Sequence, residues 1–286
     1  MKAQVALGCM ALILCMTRSA FGVAFDDDFD SSTLNPIWTW NDPDQDDTHS
    51  LTARPGHMRI KLASGSEDSW TGATWATARN SAPFLLTSLV SPSEDFVVET
   101  MVDAATVNGG TMPDRFVAGI MIYDTAHETT PYVTWQGPTE YFGYDMGLAL
   151  YRDDIMSQAG LPNPTVFAQA CNSATRVSGD VLDLTKAYHL KVVRDSAAAT
   201  WTCSYKQDGA AAWTALAPLN DWEFPGGGVT GTMRIGLYAK TWVGGTVTPG
   251  ADFGYFRISS VPEPSAIVLA GFGLVGLLTY AWRKHR

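Results

Sequence analysis

The sequence predicts an all-β body, a two-sheet antiparallel sandwich, set between two targeting segments. Three observations lead there. Short stretches alternate apolar and polar residues with a period of two, the signature of half-buried strands. Clusters of turn-forming residues separate them. No long amphipathic helix appears before the last 26 residues. Many short strands at this spacing, through residues 23–260, fit a sandwich or jelly roll.

The chain opens on Met1–Lys2, runs apolar from Val5 to Met16, and then places small residues at Ala20 and Gly22. A basic start, an apolar middle and a small-residue cleavage site make a secretory signal peptide over 1–22. Leu14 precedes Cys15 and is too large for a lipoprotein signal.

The strands of the body follow. His57–Ala63 alternates. Phe96–Ala104 puts Phe96, Val98, Thr100 and Val102 on one face and Val97, Glu99, Met101 and Asp103 on the other. Phe116–Tyr123 is apolar on both faces, as a central strand is. Tyr188, Leu190 and Val192 share a face, as do Trp201, Cys203 and Tyr205, and as do Met233, Ile235, Leu237 and Ala239. Asn108-Gly109-Gly110, Asp208-Gly209 and Gly226-Gly227-Gly228 are turn signals.

At the other end, Ser265–Trp282 carries no charge. As a helix it spans about 27 Å, close to the hydrocarbon thickness of a bilayer. Arg283, Lys284 and Arg286 follow it, and such a flank stays cytoplasmic. Pro262-Glu263-Pro264, a glycine-bearing apolar span and a terminal basic cluster together resemble the PEP-CTERM sorting signal of Gram-negative bacteria. That resemblance implies recognition of residues 261–286 by an exosortase, a transient inner-membrane anchor, and delivery to the cell surface or the extracellular matrix.

Charge narrows the partners. Of 19 Lys and Arg residues, five lie in the two ends (Lys2, Arg18, Arg283, Lys284, Arg286). Of 29 acidic residues, only Glu263 does, which leaves 14 basic against 28 acidic in the body, a net of −14. Nucleic acid is excluded as a partner, because a phosphate backbone needs clustered cations. Neutral sugars and divalent cations suit such a body better. Cys9 and Cys15 leave with the leader. Cys171 and Cys203 remain, and in an oxidising compartment they are expected to form a disulfide worth roughly 3–4 kcal/mol.

Three stretches of the body resemble the concanavalin A-like lectin/glucanase sandwich. They are FDDDFDSSTLNPIWTW (Phe25–Trp40), YKQDGAAAWTAL (Tyr205–Leu216) and ADFGYFRI (Ala251–Ile258). They are similar above all to the accessory modules of β-xylosidases and, more remotely, to glycoside hydrolase family 16. The resemblance implies a jelly roll whose first and last strands pair. It also implies a structural Ca²⁺ between those strands, held by Asp252 with a partner near Asp28. Trp38, Trp201 and Trp213 lie in the family-like stretches and are assigned to the core.

The Glu-x-Asp-x-x-Glu strand of family 16 hydrolases does not occur here. Glu99 and Asp103 share a face but stand about 13 Å apart, beyond the separation of a glycosidase pair. No Gly-x-Ser-x-Gly is present either. No catalytic residue is therefore assigned. Sugar rings stack on aromatic side chains while polar neighbours take the hydroxyls. Loop-flanking aromatics are accordingly the carbohydrate-binding candidates: Trp70, Trp75, Trp135, Tyr141, Tyr144 and Trp242. A second acidic feature, Asp42-x-Asp44-x-Asp46 followed by Asp47, alternates like a calcium loop but lacks the Gly and Glu of an EF-hand. The expectation is an exported surface or matrix protein that binds a polysaccharide without cleaving it. The alternatives are a glycoside hydrolase or lyase of the same fold and a structural matrix protein without a defined ligand.

Overall fold

The computed structural model describes residues 24–42, 44–63, 69–72, 79–80, 82–87, 93–124, 139–141, 146–152, 164–170, 175–221, 229, 232–241 and 248–260. In chain order the strands are β1 (Phe25–Asp27), β2 (Thr39–Asn41), β3 (Thr48–Ser50), β4 (Met58–Lys61), β5 (Ser69–Gly72), β6 (Arg79–Asn80), β7 (Phe84–Leu86), β8 (Phe96–Asp103) and β9 (Phe116–Asp124). There follow β10 (Thr139–Tyr141), β11 (Met146–Arg152), β12 (Thr165–Ala170), β13 (Thr175–Val181), β14 (Tyr188–Asp195), β15 (Thr200–Gln207), β16 (Thr214–Ala215), β17 (Leu219–Asn220), β18 (Met233–Thr241) and β19 (Gly250–Ser260).

Two large antiparallel sheets form the sandwich. The first runs β16-β15-β14-β8-β19-β4-β3, with β1 added to β19 and β17 to β15. The second runs β13-β12-β11-β9-β18-β7-β2. A separate three-stranded sheet, β10-β5-β6, completes the described strands. The period-two alternation dictates this arrangement. On β8 the inward set Phe96, Val98, Thr100 and Val102 is buried and the outward set is not, until Asp103. On β14 the inward residues Tyr188, Leu190 and Val192 are buried and face the same core. Thr100 is the polar member of that set, and its Oγ1 donates to the Tyr255 carbonyl at 2.6 Å.

The central strands of the second sheet, β9, β11 and β18, are buried on both faces. Ile120 and Ile122 of β9 look into the sandwich. Val117 and Met121 join Phe84, Tyr151, Phe167 and Tyr238 in a second apolar cluster. The doubly apolar run Phe116–Tyr123 signalled this outcome.

β19 carries a bulge. Phe253 pairs with Val102 and Phe256 with Thr100, so three steps on β19 match two on β8. An extra residue switches which parity faces inward. Ala251 and Phe253 point to the core before it, and Phe256 and Ile258 after it. Gly254 sits in the bulge, where a Cβ would press on Met101 Cε.

β1 pairs Phe25 with Ile258, so both ends of the described body meet at one end of the first sheet. Gly250, Lys61 and Thr48 lie in register at the other end. The loop that precedes β3, with its four aspartates, is at that far end.

Two expectations change here. Cys203 is a free thiol, fully buried on the core face of β15, so the expected Cys171–Cys203 disulfide is not formed. The strand that carries Cys203 aims it inward between Trp201 and Tyr205, and burial pushes its thiol pKa up. Cys171 lies outside the described residues, as do the leader, Pro262, Glu263, Pro264 and the tail. Among the described residues no helix is long and apolar enough to cross a membrane. Trp213, assigned to the core, is instead half-buried at the surface under Lys191.

The closeness of β9 and β11 is testable. A Cβ on Gly119 would run into the Leu148 carbonyl and stand 2.6 Å from Ala149 Cα. Gly119→Ala is expected to lower stability by about 1–3 kcal/mol, the usual scale of overpacking. A urea unfolding midpoint measures it, and an unchanged midpoint would contradict this strand spacing.

Candidate functional site

Two of the aromatic candidates fall on paired strands of the small sheet. Tyr141 on β10 is directly opposite Trp70 on β5 in the small sheet. Trp75, Trp135, Tyr144 and Trp242 lie outside the described residues.

The carboxylates expected to share a cation do not meet. Asp252 is fully buried and is gripped by arginine: Arg59 Nε at 2.7 Å and Nη2 at 2.9 Å, and Arg54 Nη1 at 3.3 Å. Arg59 is there because it stands opposite Asp252 in the β4–β19 register. Arg54 Nη1 also binds Asp103 at 2.6 Å, so two guanidiniums neutralise two carboxylates in one cluster. Asp28 is exposed and accepts from Arg257 Nη2 at 2.8 Å. Asp26 accepts from Arg257 Nε at 2.9 Å. Asp27 has a third role: its carboxylate takes the Trp38 indole N–H at 2.8 Å and the Phe29 backbone N–H at 2.9 Å. That bond fixes Trp38 in an aromatic group with Phe25 and Phe256. With these bonds made, Asp28 and Asp252 do not fit a shared Ca²⁺ site.

The other acidic feature does fit a hard cation. Carboxylate oxygens of Asp42, Asp44, Asp46 and Asp47 all lie within 4.8 Å of one another. Asp42 folds the loop by accepting from the backbone N–H of Gln45 at 3.0 Å and of Asp47 at 3.2 Å. Gln45 adopts a positive φ of 67° to close the turn. Asp47 ties the loop to the first sheet by accepting from Ala63 N–H at 2.6 Å. Four like charges this close repel one another, and a divalent ion with oxygen ligands offsets that repulsion.

Comparison with known proteins decides the fold. The profile of the β-xylosidase C-terminal concanavalin A-like domain matches residues 26–129, and that of the PEP-CTERM protein-sorting motif matches 260–286. The Lotus tetragonolobus seed lectin superposes with a TM-score of 0.54 at 12% identity, covering 84% of this chain and 99% of the lectin. The body is a concanavalin A-like sandwich. The GH43 BlXynB protein of Bacillus licheniformis matches with a TM-score of 0.53 at 17% identity, covering 82% of this chain. The xylan β-1,4-xylosidase of Bacillus halodurans matches with 0.53 at 20%, also covering 82%. The chain spans only 39% and 38% of those two proteins. No curated protein sequence matches it. The sorting motif indicates export and exosortase processing in a Gram-negative bacterium.

The neighbours of this concanavalin A-like sandwich include both lectins and hydrolases, so the fold alone does not choose between binding and cleavage. Two carboxylates of the first sheet, Asp103 and Asp252, share Arg54 Nη1. They are 5% and 0% exposed, out of reach of a glycosidic bond. Glu99, the other candidate on β8, stands 4.0 Å from Lys191 Nζ.

The arginine cluster makes stability depend on pH. Burial pushes the Asp103 carboxyl up, but hydrogen bonds from the Thr106 side chain and backbone, with the pairing to Arg54, outweigh it and hold the pKa below 3.8. A lowered native pKa contributes stability that is complete above the unfolded value and is lost as pH falls through the native one. The melting temperature is therefore expected to fall below about pH 4, and Asp103→Asn to flatten that part of the profile. An unchanged profile in the variant would exclude Asp103 as a source.

Proposed function

We propose that this is an exported protein whose concanavalin A-like sandwich binds a polysaccharide without cleaving it. The observation that carries the reading is coverage. The chain matches a seed lectin over nearly that whole protein, and the xylosidases over only part of theirs. A further fact supports it. The buried carboxylates of the first sheet are neutralised by arginine.

In this reading residues 1–22 are a leader, 23–260 the sandwich and 261–286 the sorting segment. The last holds the body at the inner membrane until an exosortase acts, and the product goes to the cell surface or the biofilm matrix. A structural Ca²⁺ belongs at Asp42, Asp44, Asp46 and Asp47, not at Asp28 and Asp252. It would tie together the loop that joins the second sheet to the first. All four aspartates are acidic oxygen donors of the kind Ca²⁺ takes.

Two measurements test this. The full chain in detergent is titrated against soluble neutral polysaccharides while released reducing ends are followed. Saturable binding with no new ends is expected, and release of ends would replace the reading with a hydrolase. Separately, Ca²⁺ is expected to raise the melting temperature and EDTA to lower it, by mass action on the native state. The paired variant Asp44→Asn, Asp46→Asn should lose that response. A melting temperature indifferent to Ca²⁺ in the wild-type protein would remove the ion from the account.

A further inference from the structure

The outer face of the first sheet carries an ordered polar surface that the sequence reading did not single out. Register places Asp26, Arg257, Glu99 and Lys191 in one row across β1, β19, β8 and β14. Charge alternates along it: acid, base, acid, base. The row on one side holds Ser259, Val97 and Val193. On the other side lie Met101, His189 and Lys206, with Tyr255 beside them.

Two aromatic rings are pinned on this face. Lys191 Nζ lies 4.1 Å and Lys206 Nζ 5.0 Å from the Trp213 ring centre. The Arg257 guanidinium lies 4.5 Å from the Tyr255 ring. The Tyr255 hydroxyl is 2.9 Å from His189 Nδ1, and His189 Nε2 is 3.0 Å from Asp208. Burial, with Glu99 and Asp208 nearby, pushes the Tyr255 pKa up to about 12, so the phenol keeps its proton as a donor. Next to the Arg257 that covers Tyr255, a groove of about 350 Å³ is lined by the polar Asp26, Glu99, Arg257 and Ser259 and by apolar residues including Phe25 and Val97.

We propose that this face, with the groove as its principal subsite and Trp213 at its far side, is the surface that binds the polysaccharide, and that the ligand is a neutral chain. The proposal rests on the binding reading above and assigns it a place. Charge complementarity selects the occupant. The row cancels to zero, so it offers neither a cation nor an anion a net attraction, and the body's net −14 repels polyanions. A hydroxyl both donates and accepts, and here the paired Arg257–Asp26 and Lys191–Glu99 groups set charged donors beside charged acceptors whose remaining lone pairs and protons a hydroxyl can use. Such charge-assisted bonds are about twice as strong as neutral ones. The Arg257 and Asp26 side chains are 45% and 61% accessible, and those of Lys191 and Glu99 22% and 31%. Four strand spacings from β1 to β15 give a length of about 19 Å, room for an oligosaccharide and not only one sugar.

The test uses the full chain in detergent and calorimetric titration with xylohexaose, laminarihexaose, cellohexaose and an alginate oligomer. Glu99→Gln and Trp213→Ala are each expected to weaken binding of a neutral hexaose about 10-fold or more, the scale of one charge-assisted contact. The melting temperature of Glu99→Gln should stay near wild type, and that of Trp213→Ala should fall only by the scale of its exposed contacts to Lys191 and Lys206. A second readout needs no variant. Bound hexaose should shield Lys191 and Lys206 from acetylation and leave Lys61 and Lys186 reactive. If the wild-type chain binds a hexaose but neither variant weakens it and no lysine is shielded, this face is not the site and the binding reading stands. If the alginate oligomer binds more tightly than the neutral ones, the ligand class is wrong. If nothing binds, the binding reading itself fails with this one.

Discussion

The fold depends on its last strand. β19 pairs with β8 on one side and with β4 and then β1 on the other, so the first sheet closes only when residues 250–260 arrive. It also brings Asp252 into the interior. A buried carboxylate is tolerable only when paired, and its partners, Arg59 and Arg54, come from the N-terminal third of the chain. The same arginines that make the strand compatible with burial also fill the place where a cation was expected.

The two sheets use alternation differently. In the second sheet both parities are apolar and buried, so β9 and β18 face protein on each side. In the first sheet one parity builds the core, and the other faces outward and mixes charged residues such as Glu99 and Lys191 with Val97, Met101 and Val193. The bulge at Gly254 and Tyr255 lets β19 keep Phe253 and Phe256 inside while Tyr255 joins the outer surface. An orderly polar row is thus the outward half of the same pattern that specifies the core.

The period-two signal made the strands, the central position of residues 116–123 and the inward sets of β8, β14 and β18 legible from sequence. What failed depends on distant partners. Asp252 looked like a metal ligand because Arg59 is 193 residues away in sequence, and only the β4–β19 register brings them together. Trp213 looked like core because it follows a hairpin turn in a family-like stretch. Its two lysine neighbours lie on β14 and β15, and alternation on those strands, Lys191 and Lys206 both outward, was the signal that could have placed it. Cys203 was correctly set on the inward face with Trp201 and Tyr205, where it is a buried free thiol. The Asp42–Asp47 loop was legible as an oxygen-donor cluster because its members are local in sequence.

The central claim is that a concanavalin A-like sandwich presents a sugar-binding surface on the outside of its first sheet. The most direct measurement is an experimental structure of the protein with a bound neutral hexaose. The account predicts the oligosaccharide across β19, β8 and β14, with hydroxyls on Arg257 and Glu99 and a ring beside Trp213. A hexaose seated instead on the second sheet, with the Asp26–Arg257–Glu99–Lys191 row untouched, would contradict it.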